Sequence, residues 1–266
     1  MGKAEWGVDP EFFGPRHAHR EGRIVRELSR RATGGTLHLE CAAGVGSLSL
    51  TLARAGLTVV AADRSIRSLA HHLRRSRSGE IAGVVLPVVA DITRLPFGDG
   101  TFGSATSAET LEHIENHHGA ARELGRVLAP GGWLVGTVPA DPGQWSDWDD
   151  WGGHLRRYEP DSMAEVLQEV GPRPEITVWG WPLLRLYDGL FLVRVNRRRL
   201  HSPLPVEKDP ALRRVSSLGR RRWLVRAVRS LFELDRLFDG APWGVGLLFA
   251  VQKPEAAVDE SSGNAQ

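Results

Sequence analysis

Between Thr36 and Ala140, five short apolar runs are interleaved with segments of helical spacing. The runs are "TLHLECA", "LTVVAAD", "AGVVLPVVAD", "FGSATSAE" and "WLVGTVPA"; the helical spacings fall on Ser47 to Arg54, Ser65 to Arg77 and His117 to Leu128, the last closed by "APGG". Crossover helices force neighbouring strands to run parallel and cover both faces of the sheet. The pattern therefore predicts a doubly wound α/β sheet, preceded by a helix from His17 to Arg31. A helix over Asp161 to Val170 and two further strands, "EITVWG" and "GVGLLFAVQK", extend it.

In such sheets, ligands bind beyond the carboxyl ends of the strands, where the strand order switches. Glu40, Asp63 and Asp91 stand at three successive run ends, and Gly44 and Gly46 form a bend after the first. A carboxylate at the second tip suits a ribose diol. Glu40 is the discriminating residue, because a carboxylate under the bend repels a pyrophosphate but tolerates a cation. The third glycine of G-x-G-x-x-G is also missing. Both features disfavour a nicotinamide oxidoreductase and favour a sulfonium or ammonium ligand without phosphates, S-adenosylmethionine.

These residues resemble the class I S-adenosylmethionine-dependent methyltransferases, the type 11 group related to ubiquinone and menaquinone biosynthesis. The resemblance runs from about Leu37 to Gly171 in five stretches: "LHLECAAGVG", "VVAAD", "VADITRLPFGDGTFGSATSAETLEHI", "ELGRVLAPGGWLVGTVP" and "WSDWDDWGGHLRRYEPDSMAEVLQEVG". It implies a Rossmann-like seven-stranded methyltransferase sheet with an antiparallel last strand. It also implies S-adenosyl-L-methionine as cofactor, held by Glu40, Ala42, Gly44, Gly46, Asp63, Arg64, Asp91, Ile92 and Ser107. Ala42 and Ala43 depart from the family's glycines, and Gly103 stands where the family usually has Asp. An alanine at Ala42 is costly only if that backbone needs positive φ.

After the fifth strand this fold places acceptor contacts. Asp141, Asp149 and His154 are candidates for removing an acceptor's proton, and Arg157, Tyr158 and Trp145 for binding the acceptor. The alternative for Asp149, His154 and Arg157 is a loop held by their mutual bonds. Trp145, Trp148, Trp151, Trp179 and Trp181 either wall an apolar mouth or pack a lid. Glu112, His113, His117 and His118 raise a metal reading, with His113 and His117 able to share a helix face. The order H-E-x-x-H is absent, and no metal is expected. The single Cys41 excludes an intramolecular disulfide and is not expected to be a nucleophile.

The chain divides into an arm (1–16), a cofactor domain (17–180 with 243–254), a basic insertion (181–242) and a polar, disordered tail (255–266). The insertion holds 14 Lys/Arg against 6 Asp/Glu, a local +8 on a remainder of −6. It reads as a helical cap over the substrate opening. Three surface roles are open: solvated arginines, a peripheral membrane or anionic-substrate contact through "RRRWLVRAVRSLFELDRLF", and a nucleic-acid grip. The nearly neutral whole and the lack of a recognisable RNA-binding module disfavour the last. No secretory signal or spanning segment is read, so a cytoplasmic protein is expected, in solution or at the membrane surface. The expected function is methyl transfer to a small-molecule or lipid-like acceptor; the alternative is a non-catalytic cofactor-binding or membrane scaffold protein. Oligomeric state is not read from the sequence.

Overall fold

A computed structural model describes residues 14–31, 36–70, 83–202, 208–219 and 221–256. Seven strands, β1 (Leu37–Cys41), β2 (Thr58–Asp63), β3 (Val84–Val89), β4 (Phe102–Ala108), β5 (Leu128–Pro139), β6 (Glu175–Trp179) and β7 (Gly246–Gln252), form one sheet. Its order is β3-β2-β1-β4-β5-β7-β6, with β7 antiparallel to both neighbours and the β1–β5 pairs parallel. The order reverses between β1 and β4, where the chain crosses from one half of the sheet to the other. This is the Rossmann-like seven-stranded methyltransferase sheet.

Alternation along the strands builds two apolar layers. Leu39, Val60, Leu134, Val138, Leu247, Phe249 and Val251 join one, under the helices His117–Val127 and Pro160–Leu167. Val59, Val135, Leu248 and Ala250 face the other. That second layer also takes Ile24 and Leu28 from the helix Pro15–Arg31, Leu48 and Leu52 from Ser47–Arg54, and Leu184 and Phe232 from the insertion. The insertion is thus knitted into the sheet's own core. Buried Asp235 accepts the backbone N–H of Leu183 and Leu184, both at 2.8 Å, which fixes the start of the insertion against its end.

Several boundaries differ from the sequence expectations, each for a local reason. β5 begins at Leu128, directly after the helix, instead of at Trp133. The stretch Ala129–Gly132 is accommodated by a register jump in which Phe102 pairs with Leu128 and Ser104 with Trp133. Asp91 is not a strand tip: β3 ends at Val89, and Asp91 sits two residues on, bridging to Arg94. His113 and His117 do not share a helix face. His113 ends a 3-10 turn, Ile114 is extended, and Asn116 caps the next helix by accepting from Gly119 N. The helix expected over Ser65–Arg77 is described at 66–70 only, and the tail beyond 256 lies outside the described residues.

The insertion contains a helical run from Leu183–Tyr187 through a π turn at Asp188–Leu192 into Val193–His201. The helices Pro210–Gly219 and Arg222–Phe232 and a 3-10 segment, Glu233–Phe238, complete it. Among the described residues no helix is long and apolar enough to cross a membrane. Gly103 has a packing reason: a Cβ there would meet Thr36 at 2.4–2.9 Å.

Candidate active site

The bend after β1 is the first half of the site. Ala42, Gly44 and Gly46 all have positive φ (55°, 53° and 79°), so the chain turns through left-handed backbone before entering the helix Ser47–Arg54. At Ala42 this conformation crowds a Cβ that glycine lacks, a strain of about 1–2 kcal/mol. The bend is braced by Asp63, whose two carboxylate oxygens accept Gly44 N at 2.8 Å and Ser65 N at 2.7 Å. Glu40, buried beneath, accepts the Ser49 hydroxyl. Asp91 accepts Thr93 N at 2.9 Å and Thr93 Oγ1 at 2.7 Å, and Arg64 Nε lies 3.6 Å away; the Thr93 bonds hold this carboxyl below its ordinary value.

Ile92 is buried in the larger apolar layer. Ser107, paired in register with Cys41, is buried with its hydroxyl unpartnered. Burial pushes the Cys41 thiol upward, which keeps it un-ionised. The opening helix closes over the bend, with His17 Nε2 3.0 Å from Ser47 Oγ and Glu21 accepting the same hydroxyl.

The second half lies beyond β4 and β5. Asp149 is fully buried and accepts Ser146 N and Oγ at 2.8 Å, Arg157 Nε at 2.8 Å and Nη2 at 2.9 Å, and pairs with His154 Nδ1 at 2.7 Å. Burial opposes its charge, but the hydrogen bonds from His154 and Arg157 outweigh it and hold the carboxyl well below its ordinary range. Glu112 Oε1 stands 4.0 Å from His154 Nε2 and 3.9 Å from His113 Nε2. Its side chain is 0% exposed, and burial followed by the nearby Glu109 charge raises its pKa well above the usual carboxylate value.

Asp141 is committed elsewhere, accepting Gly143 N at 2.9 Å and Gln144 Nε2 at 3.0 Å. Tyr158 belongs to the core, and its hydroxyl donates to Leu111 O at 3.1 Å. Trp145 is exposed and its indole N–H donates to Asp150 at 3.0 Å. The tryptophans separate: Trp148 stacks near Trp151 (4.6 Å), Trp181 near Trp243 (5.4 Å), and Trp179 is buried under Arg23.

Sequence reasoning missed a set of charges that meets only in three dimensions. Arg20 approaches Glu109 at 3.5 Å, and Arg16 pairs with Asp188 of the insertion at 3.0 Å. Glu109 itself has φ 51° just past β4, an uncommon backbone for a non-glycine residue and the one local signal of its position. A groove lies toward the opposite, amino end of the sheet, lined by Arg23, Arg26, Arg31, Glu175 and Asp239. Its arginines are already paired: Arg23 with Asp239, Arg26 with Glu233 and Arg31 with Glu175.

The braced bend, three carboxylates and switch in strand order all fall inside one stretch for which a family match exists. Residues 39–136 match the methyltransferase domain. Demethylmenaquinone methyltransferases of Mycobacterium tuberculosis and Mycolicibacterium vanbaalenii are 37% and 38% identical over 113 residues, 40% of this chain and 45% and 46% of theirs. The chain thus spans less than half the length of the curated relatives it matches. Among solved structures, phosphoethanolamine N-methyltransferase 2 of Haemonchus contortus, in complex with S-adenosyl-L-methionine, superposes with TM-score 0.63 at 20% identity, over 94% of this chain and 56% of that one. The [4+2]-cyclase SpnF gives 0.60 at 22% (91% and 83%), and geranyl diphosphate C-methyltransferase of Streptomyces coelicolor 0.60 at 17% (89% and 76%). These likenesses carry the methyltransferase fold; one neighbour being a cyclase, they do not by themselves carry the chemistry.

Proposed function

We propose that the chain transfers a methyl group from S-adenosyl-L-methionine to a small-molecule or lipid-like acceptor. The observation that carries this is the Asp63-braced left-handed bend with buried Glu40 beneath it, at the point where strand order switches. The residues fit the cofactor. Asp63 keeps lone pairs for a ribose diol, Asp91 stands beyond the next strand, and the Ser107 hydroxyl is buried without a partner. Glu40 gives the cradle a negative floor that suits a cation and repels a pyrophosphate. The bound cofactor supplies an activated methyl group, so the protein's task is alignment and exclusion of water.

The acceptor side is read from this chain's own residues, because the relatives match only about 40% of it. His154 is oriented through Nδ1 by Asp149, which directs Nε2 toward Glu112. Arg157 is spent on Asp149 and acts as a positioning residue. Incubation with methyl-labelled cofactor and host extract, split into lipid and aqueous fractions, tests the reading. Label in a lipid-soluble or small product supports it, and label confined to protein or nucleic acid contradicts it.

A second observation favours a lipid surface as the place of work. On the insertion, Trp223, Leu231, Leu234, Leu237 and Phe238 are exposed among Arg221, Arg222, Arg226 and Arg236, with Trp243 exposed just after it. Exposed apolar residues interspersed with arginines along these helices suit an anionic bilayer. Salt-sensitive sedimentation with phosphatidylglycerol vesicles, weakened in Trp223→Ala, supports it; no sedimentation at low salt contradicts it.

A further inference from the structure

We infer that Glu112, His113 and His154 form a binding site for a divalent transition-metal ion of the zinc type. One ligand atom from each residue lies within 4.8 Å of the other two. That spread is wider than a loaded site, where ligands stand about 2.0–2.2 Å from zinc, and closes with side-chain shifts of under about an ångström each.

Three observations point to a cation. Both Glu112 oxygens are buried without a hydrogen-bond partner. A carboxylate deeply buried and unsatisfied is expensive, and a metal ion removes the cost. The two imidazoles are oriented as ligands. His154 Nδ1 is 2.7 Å from Asp149 Oδ1 and His113 Nδ1 is 3.2 Å from Gly153 O, so each ring donates its Nδ1–H outward and presents Nε2 to Glu112. Metal-binding histidines are typically fixed in this way, by a carboxylate or a backbone carbonyl on the far nitrogen. Finally, the site is reachable: the His154 and His113 side chains are 11% and 25% exposed.

Two histidines and one carboxylate leave at least one coordination position open, the mark of a working site rather than a structural one. The donor set selects zinc, iron(II) or cobalt over magnesium or calcium, which prefer oxygen ligands. The role of the open position rests on the methyl-transfer reading: it would receive an acceptor oxygen and make it a better nucleophile. Metal binding itself does not depend on that reading.

The test uses the whole chain, freed of metal by chelation, titrated with Co2+ followed by its visible absorption and with Zn2+ followed by calorimetry. One equivalent is expected to bind saturably and to raise the melting temperature. Glu112→Gln and His154→Gln should each weaken binding at least about 100-fold, and Asp149→Asn about 10–100-fold through His154. The ten histidines of the chain make weak surface binding a competing result. Binding that is unsaturable, or unchanged in both ligand variants, overturns the site. Should His154→Gln fail to fold in chelator, Glu112→Gln, an isostere of the neutral acid, and His113→Gln carry the comparison. Metal binding without methyl transfer leaves the site standing and removes the function; methyl transfer without metal binding does the reverse.

Discussion

The two halves of the strand-tip cleft are assembled by different means. On the β1–β3 side, contacts are short in sequence and made to backbone: Asp63 reaches Gly44 across 19 residues and Ser65 across 2, and Asp91 reaches Thr93 across 2. On the β4–β5 side, charged side chains meet one another across distant elements. Arg16 and Arg20 come from the opening helix, Glu109 and Glu112 from beyond β4, Asp149 and His154 from beyond β5, and Asp188 from the insertion. A cradle built from backbone suits one unchanging ligand. A set of paired charges can be retuned one residue at a time.

On this contrast, removing an acid costs more on the second side. Asp149→Ala leaves the partly buried Arg157 and His154 without their carboxylate, a loss of about 3 kcal/mol. Asp63→Ala, at a half-buried tip, should cost about 1–2 kcal/mol. Urea unfolding of both variants checks the order, and an inverted order breaks the comparison.

A pH series sharpens it next. His38 lies fully buried under the cradle, with its ring nitrogens 2.9 Å from Ser104 Oγ and 3.0 Å from Thr106 Oγ1, and burial lowers its pKa to about 3. Above the ordinary value near 6.5 it is neutral folded or unfolded. Below it, the unfolded chain takes the proton and the folded chain does not, so stability falls as pH drops. The loss by pH 5 is about 2 kcal/mol from this group. Buried His19, lowered to about 4 by burial, adds in the same direction. The acidic residue Asp149 has the depressed carboxyl, whose contribution is lost only below its unfolded value near 4. Glu112, whose carboxyl burial holds well above its ordinary value, works in the opposite sense over the same window. Comparison with a variant therefore isolates the histidine: in unfolding free energies between pH 7.5 and 5, His38→Gln should reduce the falling slope by about 1.4 kcal/mol per pH unit.

The smallest effect is at the bend. Ala42→Gly relieves positive φ at the expense of chain entropy, a net gain of about 0.5–1 kcal/mol, visible as a raised melting temperature. A loss of stability would mean that the bend is relaxed as it stands.

The same contrast explains what could be read from the sequence. Apolar runs between helical spacings located all seven strands, because each strand's two faces bury into two separate layers; the run ends misplaced the close of β3 and the start of β5. Glu40, Gly44, Gly46 and Asp63 were legible because a braced bend is a local device with local spacing. Ala42 was legible only as a question, which its φ of 55° answers. The β4–β5 side was legible in part: Asp149, His154 and Arg157 do hold one another, as one of the sequence readings expected, but the wider set of charges was not. Nothing near Arg16 in sequence announces Asp188, and the order of Glu112 and His113 carried no metal signature until the fold brought His154 beside them. Tyr158 illustrates the converse: it stands in a motif that suggests acceptor contact, yet its register against Ala140 turns the ring into the core.

Calorimetric titration of the whole chain with S-adenosylhomocysteine and, separately, NADH reaches the central claim most directly. The account predicts saturable binding of S-adenosylhomocysteine, none of NADH, and a loss of about 1–3 kcal/mol in a folded Asp63→Ala variant. Tight NADH binding, or an affinity for S-adenosylhomocysteine that ignores Asp63, would contradict it.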